Sequence, residues 1–186
     1  LDDYILDANI KLNNRPVGGL SGIDYDGTNY YIVSDAPSVP RFYKVEIILN
    51  NYKIDTIIIT AETPIDKSQP PLSKSFLDLE SIRVTDTGFI LASEGSIANN
   101  RSPLIFEVND IGKFKKSYST NNIEASARNN AVFEALTIDE FNGGFWVTTE
   151  LPLTTDGPEP KILDNKAFVR FSHYNNEGML DSQYAY

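Results

Sequence analysis

Six positions in this sequence carry side chains whose type and spacing suit chemistry: Ser21, Asp35, Glu80, Glu94, Glu134 and Glu150. They fall into three pairs, Ser21 with Asp35, Glu80 with Glu94, and Glu134 with Glu150. Carboxylates gathered at one end of a set of strands can hold a hard divalent cation, and Ca²⁺ takes about six to eight oxygen ligands. A cation held there polarises a phosphoryl oxygen or activates water. The same acids can instead accept bonds from backbone donors and shape the strand ends, because buried carboxylates need partners of some kind. Both roles are open from the sequence alone.

Each pair brackets a hairpin pattern. The first reads GLSGIDYDGTNYYIVSDAP (19–37), the second DLESIRVTDTGFILASEGS (78–96), the third VFEALTIDEFNGGFWVTTELP (132–152). In the third, Leu136, Ile138, Phe145 and Val147 alternate with other side chains around a Gly-rich break, the mark of a two-stranded antiparallel hairpin. The inner positions are offset by 80 − 21 = 59 and 134 − 80 = 54 residues, and the pair spacing is 14, 14 and 16. A period in the fifties holding several short strands predicts propeller blades. The fold class is therefore all-β and propeller-like: about three four-stranded antiparallel blades, near 18–60, 77–118 and 131–186. Expected strands are 20–25, 29–34, 41–49 and 52–60, then 79–84, 88–93, 103–109 and 113–118, then 133–138, 144–149, 166–172 and 179–186. Tyr4 to Leu12 reads as one extra N-terminal strand. Three blades are fewer than the four or so that close a ring, so residues 1–186 are expected to form part of a larger propeller.

In such blades the long polar connections, 61–77, 95–102, 119–131 and 150–165, share one face, and tight turns such as Asp26-Gly27 and Thr87-Gly88 share the other. The marked acids map to the long-loop face. Glu80 and Glu134 start innermost strands and stand nearest the axis; Asp35, Glu94 and Glu150 lie one strand further out.

Composition narrows the classes. With 26 acidic against 16 basic residues and a net charge of −10, nucleic acid and anionic membranes are disfavoured partners. No apolar run approaches the roughly 20 residues of a membrane span. The chain has no Cys and one His, His173, which removes disulfides and thiolate catalysis and weakens any His-based triad or zinc site. His173 reads as a surface residue beside a turn, and Trp146 as blade packing. Asp24-Tyr25-Asp26-Gly27 imitates part of a calcium loop but runs straight into a strand, so it reads as a hairpin turn. Arg41, Arg83, Arg101 and Arg128 are candidates for an anionic substrate, since a guanidinium bonds two oxygens at once; Arg101 and Arg128 lie on the long-loop face.

Gly18 to Tyr25 (GGLSGIDY) with Ser34-Asp35 and Arg41-Phe42-Tyr43, then Leu79 to Ile82 with Ala92 to Gly95, then Phe133 to Leu136 with Thr149-Glu150, resemble in order the domain family described as "esterase-like activity of phytase". The resemblance covers nearly the whole chain. It implies a propeller-like β fold, export to the periplasm, cell surface or medium, and hydrolysis of a phosphoester or ester substrate. On that reading Glu80 and Glu134 are the catalytic residues. Glu80, Glu94, Glu134, Glu150 and Asp35 form the cation site, with Ca²⁺ as the expected ion, and Arg101 and Arg128 bind substrate. The alternative is a non-catalytic propeller that binds a ligand or protein partner through the same face.

Overall fold

A computed structural model describes residues 3–161 and 167–186. Three four-stranded sheets follow one another along the chain, each an antiparallel meander in sequence order. Blade one holds β3 (Leu20–Tyr25), β4 (Tyr30–Ser34), β5 (Arg41–Asn50) and β6 (Lys53–Pro64). Blade two holds β7 (Leu79–Thr85), β8 (Gly88–Ser93), β9 (Leu104–Val108) and β10 (Phe114–Tyr118). Blade three holds β11 (Phe133–Ile138), β12 (Phe145–Thr149), β13 (Arg170–Tyr174) and β14 (Leu180–Ala185). The chain is all-β with propeller-like blades, as its repeats predict. The expected strand start at 166 lies outside the described residues.

Burial shows why the blades stack. In β8 every residue from Phe89 to Ser93 is buried. Successive side chains of a strand point to opposite faces, so both faces of blade two must be covered. Phe89 and Leu91 join Val33, Phe42, Leu79 and Phe106 in the core shared with blade one. Ile90 and Ala92 join Ile105, Phe133, Leu136, Phe145 and Val147 in the core shared with blade three. Each fully buried Leu, Ile or Phe is worth about 1.5–3 kcal/mol, so the blade interfaces hold much of the stability. Phe42, Phe89 and Tyr31 pack ring on ring across the first interface.

The N-terminal stretch departs from expectation. Only Lys11–Leu12 is strand (β1), and it pairs with Arg15–Pro16 (β2) in a separate hairpin instead of joining a blade. Ile10, Leu12 and Val17 lie over Tyr43 and Val45 on the outward side of blade one. Arg15 reaches the buried Glu62, which Arg41 also approaches. The hairpin is thus an apolar cap fixed by an ion-pair staple. In addition β6 runs on to Pro64, and the long connections hold short helical turns at Leu72–Lys74, Ile97–Asn99 and Asn121–Glu124.

The first strands of the blades, β3, β7 and β11, lie side by side. Ser81 Oγ donates to the Glu134 carbonyl at 2.6 Å, Arg83 to the Ile23 carbonyl at 2.9 Å, and the Val84 amide to Asp24 Oδ2 at 2.7 Å. Gly22 faces the Glu80 carbonyl so closely that a Cβ would stand 2.6 Å from it. Gly22→Ala is therefore expected to cost about 1–3 kcal/mol, the usual penalty of overpacking against something that cannot move. Gly18→Ala, with nothing within 4 Å of the new carbon, should leave stability unchanged. Urea denaturation of the two variants measures the contrast.

Candidate carboxylate site

The three marked hairpins are built by one local device. In each, the first strand carries an extra residue near its start. Leu79 pairs with Ser93 and Ser81 with Ala92, which leaves Glu80 outside the ladder. Phe133 pairs with Thr149 and Ala135 with Thr148, which leaves Glu134 outside it. In blade one, Leu20 pairs with Ser34 and Ile23 with Ile32, so Ser21 and Gly22 share one slip. Such bulges re-aim a side chain and bend the strand. A backbone bond closes each hairpin beyond the bulge: Asp35 N–H to Gly19 O at 2.8 Å, Glu94 to Asp78 at 3.0 Å and Glu150 to Val132 at 2.8 Å. The three pairs are thus equivalent by hydrogen bonding as well as by sequence.

The side chains converge. Carboxylate oxygens of Asp78, Glu80 and Glu94 lie within 4.8 Å of one another, and so do those of Glu94, Glu134 and Glu150. Glu94 belongs to both groups and is 3% exposed. Its Oε1 accepts the Val132 amide across the blade interface at 2.7 Å. Ser21 Oγ donates to Glu80 Oε2 at 2.6 Å. The structure thus brings together Glu80, Glu94, Glu134 and Glu150. It adds Asp78, which the sequence reading passed over, and leaves the exposed Asp35 outside both groups, near enough to act on Asp78 and Glu80 by charge. The alignment itself held the signal for Asp78: it occupies the hairpin-closing position of Gly19 and Val132, and only unit two has an acid there.

Electrostatics agree with a crowded anionic site. Burial pushes the Glu134 carboxyl up to about 7, helped by the negative charges of Glu80, Glu94 and Glu150. Burial also raises Glu94, against the Val132 amide, and raises Glu80, against the Ser21 hydroxyl. Asp78 goes up by burial and then by Asp35. Among the described residues, no Lys or Arg pairs with any of these five acids. Backbone and hydroxyl donors satisfy Glu94 and Glu80 in part, Glu134 hydrogen-bonds Glu94, and Glu150 is exposed to water. The donors are all oxygen, which fits a hard cation such as Ca²⁺ and not a soft one.

The arginines divide differently. Arg128 donates to the Pro152 and Gly157 carbonyls at 2.9 and 2.7 Å, clamping the 150–161 connection. Arg101 is exposed and spends one terminal nitrogen on the Lys74 carbonyl at 3.1 Å. Arg41 is buried against Tyr43 and Val39. His173 is not a surface residue: it is 6% exposed, with Nδ1 2.7 Å from Asp181, Nε2 3.1 Å from the Gly143 carbonyl, and its ring against Trp146. The register pairs His173 with Trp146 and Tyr174 with Phe145, so the two rings point to opposite faces, and Trp146, Asp139 and Asp181 cover His173. Asp26 caps its own turn through the Thr28 and Asn29 amides at 2.7 Å, as expected of a hairpin. An open cavity of about 800 Å³ lies at the tight-turn end, lined by Asp24, Asp26, Arg83 and Asp86 among others, and none of the five acids borders it.

One consequence concerns pH. A carboxyl that titrates higher in the folded than in the unfolded chain binds its proton more tightly when folded. Stability from Glu134 is present below its unfolded value of 4.5 and is lost as pH rises towards about 7. In chelator, the thermal midpoint is expected to fall between pH 5 and pH 8. Glu134→Gln should flatten that slope and raise the midpoint at pH 8, as melting curves across pH will show.

Neither the curated proteins nor the solved structures yield a match to this chain. The family model described as "esterase-like activity of phytase" matches residues 15–186, a span that takes in all three blades and all five converging acids. The chain belongs to this phytase-like family.

Proposed function

We propose that this chain carries a cation-assisted hydrolytic site for phosphoester or ester substrates, on an exported protein. The observation that supports it most is the meeting of two carboxylate groups at the buried Glu94 with no Lys or Arg among the described residues to neutralise them. Glu80, Glu94, Glu134 and Glu150, with Asp78, hold one or two Ca²⁺ ions, and Asp35 adds negative charge at the rim. When bound, the cation neutralises phosphoryl charge and lowers the pKa of water. Glu94 is the fixed member, held by the Val132 amide, and shares its position with both groups. Ser21 orients Glu80 through its hydroxyl. Glu134, titrating near neutrality, is the general base: a group poised near the working pH both accepts and returns a proton well. Glu80 is the second catalytic carboxylate. Arg101 and Arg128 meet an anionic substrate with the nitrogens that their loop carbonyls leave free. The acidic balance of the whole chain makes a cation more, not less, necessary for binding phosphate.

Two measurements on the purified chain test this. Millimolar Ca²⁺ is expected to raise the thermal midpoint of the wild type through preferential binding to the folded state, and the rise should vanish in Glu94→Gln. Hydrolysis of a chromogenic phosphoester should fall at least about a hundredfold in Glu80→Gln and in Glu134→Gln, the scale of a lost general base. A midpoint shift without any hydrolysis supports the binding-module alternative. Full activity in both variants refutes the assignment of roles.

A further inference from the structure

One of the three bulges carries a different side chain. In blades two and three the residue thrown out of the ladder is a glutamate, Glu80 or Glu134. In blade one Ser21 stands in that place, and it shares the slip with Gly22. Its Oγ donates to Glu80 Oε2 at 2.6 Å, across the junction of blades one and two. Gly22 lets the two backbones close to that reach: a Cβ there would stand 2.6 Å from the Glu80 carbonyl oxygen and 2.7 Å from the Ser81 Cα. Ser21 is itself exposed, and a Cβ on nearby Gly18 would meet nothing within 4 Å. Space therefore remains beside the hydroxyl for another molecule.

A serine hydroxyl is a weak nucleophile until an adjacent base takes its proton, and the mark of such a pair is a hydrogen bond between the two side chains. Ser21 and Glu80 meet that geometry, and among the described residues no other hydroxyl bonds to one of the five acids. The bulge supplies the exposure, because a residue outside the ladder is free to aim its side chain away from the strand. The charge of the site selects the substrate. Five carboxylates repel the oxygens of a phosphate monoester, whereas the reacting carbon of a carboxylic ester belongs to a neutral group.

We propose that Ser21 is the nucleophile of this site, with Glu80 as its base, and that the substrates are carboxylic esters cleaved through an acyl-serine. The proposal rests on the reading of the carboxylates as a hydrolytic site. Ser21 Oγ attacks the ester carbonyl carbon as its proton passes to Glu80 Oε2. The tetrahedral adduct collapses, the bond from carbon to the alcohol oxygen breaks, and the alcohol leaves with the proton from Glu80. Water then attacks the acyl carbon and gives a proton to Glu80. The bond to Ser21 Oγ breaks, Oγ takes that proton back, and the carboxylic acid departs. Ester and water have become acid and alcohol, with no net transfer of electrons. The hydrogen bond that orients Glu80 in the resting site is the path of the proton.

A covalent probe reads the serine directly. After incubation with a fluorophosphonate in millimolar Ca²⁺, intact-mass measurement is expected to show one adduct, which peptide mapping places on Ser21. p-Nitrophenyl acetate should give a burst of about one nitrophenolate per chain before steady turnover. Ser21→Ala should lose the adduct, the burst and at least about a hundredfold of ester hydrolysis, with far-UV circular dichroism unchanged. Glu80→Gln keeps the hydroxyl without the base and should slow labelling by a similar factor. Hydrolysis lost in Ser21→Ala with no adduct on the wild type overturns the proposal and leaves Ser21 the orienting role alone. Full hydrolysis of ester and phosphoester in Ser21→Ala also overturns it, with water as the nucleophile and the cation-assisted reading intact. A wild type inert to the probe and to both substrates overturns the two together.

Discussion

The structure depends on a backbone slip repeated three times: one strand in each blade takes an extra residue where it enters the sheet. An unpaired residue in a strand costs ladder hydrogen bonds, and it survives only where something fixes it. Here the fixing is double. A closing amide bond stands just beyond each bulge, and the bulge carbonyls of blades two and three are met by Gly22 and Ser81 of the preceding blades. The same slip therefore docks one blade on the next and swings a glutamate out of the ladder towards its neighbours. Assembly of the stack and assembly of the acidic site are one event.

That coupling explains the oddest feature of the site, five carboxylates gathered with no Lys or Arg partner among the described residues. Like charges at such distances repel, and burial removes the water that would screen them. The chain meets part of this cost with Ser21, with the Val132 amide, and with a proton held on Glu134 up to neutral pH. The blade cores on either side supply the apolar burial that keeps the acids together. Elsewhere among the described residues buried carboxylates take basic partners, as Asp156 takes Arg170 at 2.5 Å and Glu62 takes Arg15.

Much of this was legible in the sequence. The alignment of Ser21, Glu80 and Glu134, and of Asp35, Glu94 and Glu150, needs only the repeated hairpin pattern, and the strands fall within a few residues of expectation because alternation reports them directly. The bulges were not legible. They are a matter of register, and the sequence fixes register only through contacts with the neighbouring strand. Asp78 was passed over because it stands just before the strand pattern, although the alignment sets it at the hairpin-closing position of Gly19 and Val132. His173 was misplaced because alternation gives the face a residue points to and not what covers it, and Trp146, Asp139 and Asp181 close over its ring. The N-terminal stretch has apolar residues at strand spacing, yet Asn13 and Asn14 at positive φ turn it back on itself after two strand residues.

The central claim is that the bulges aim Glu80, Glu134 and the buried Glu94 at a common cation. Anomalous diffraction from crystals soaked in Mn²⁺, a stand-in for Ca²⁺ with the same preference for oxygen, locates such an ion without reference to activity. The account predicts a strong peak within bonding distance of Glu94 and of at least one bulge glutamate. Crystals that show no peak there, or peaks only at the exposed carboxylates of the tight-turn end, would contradict it.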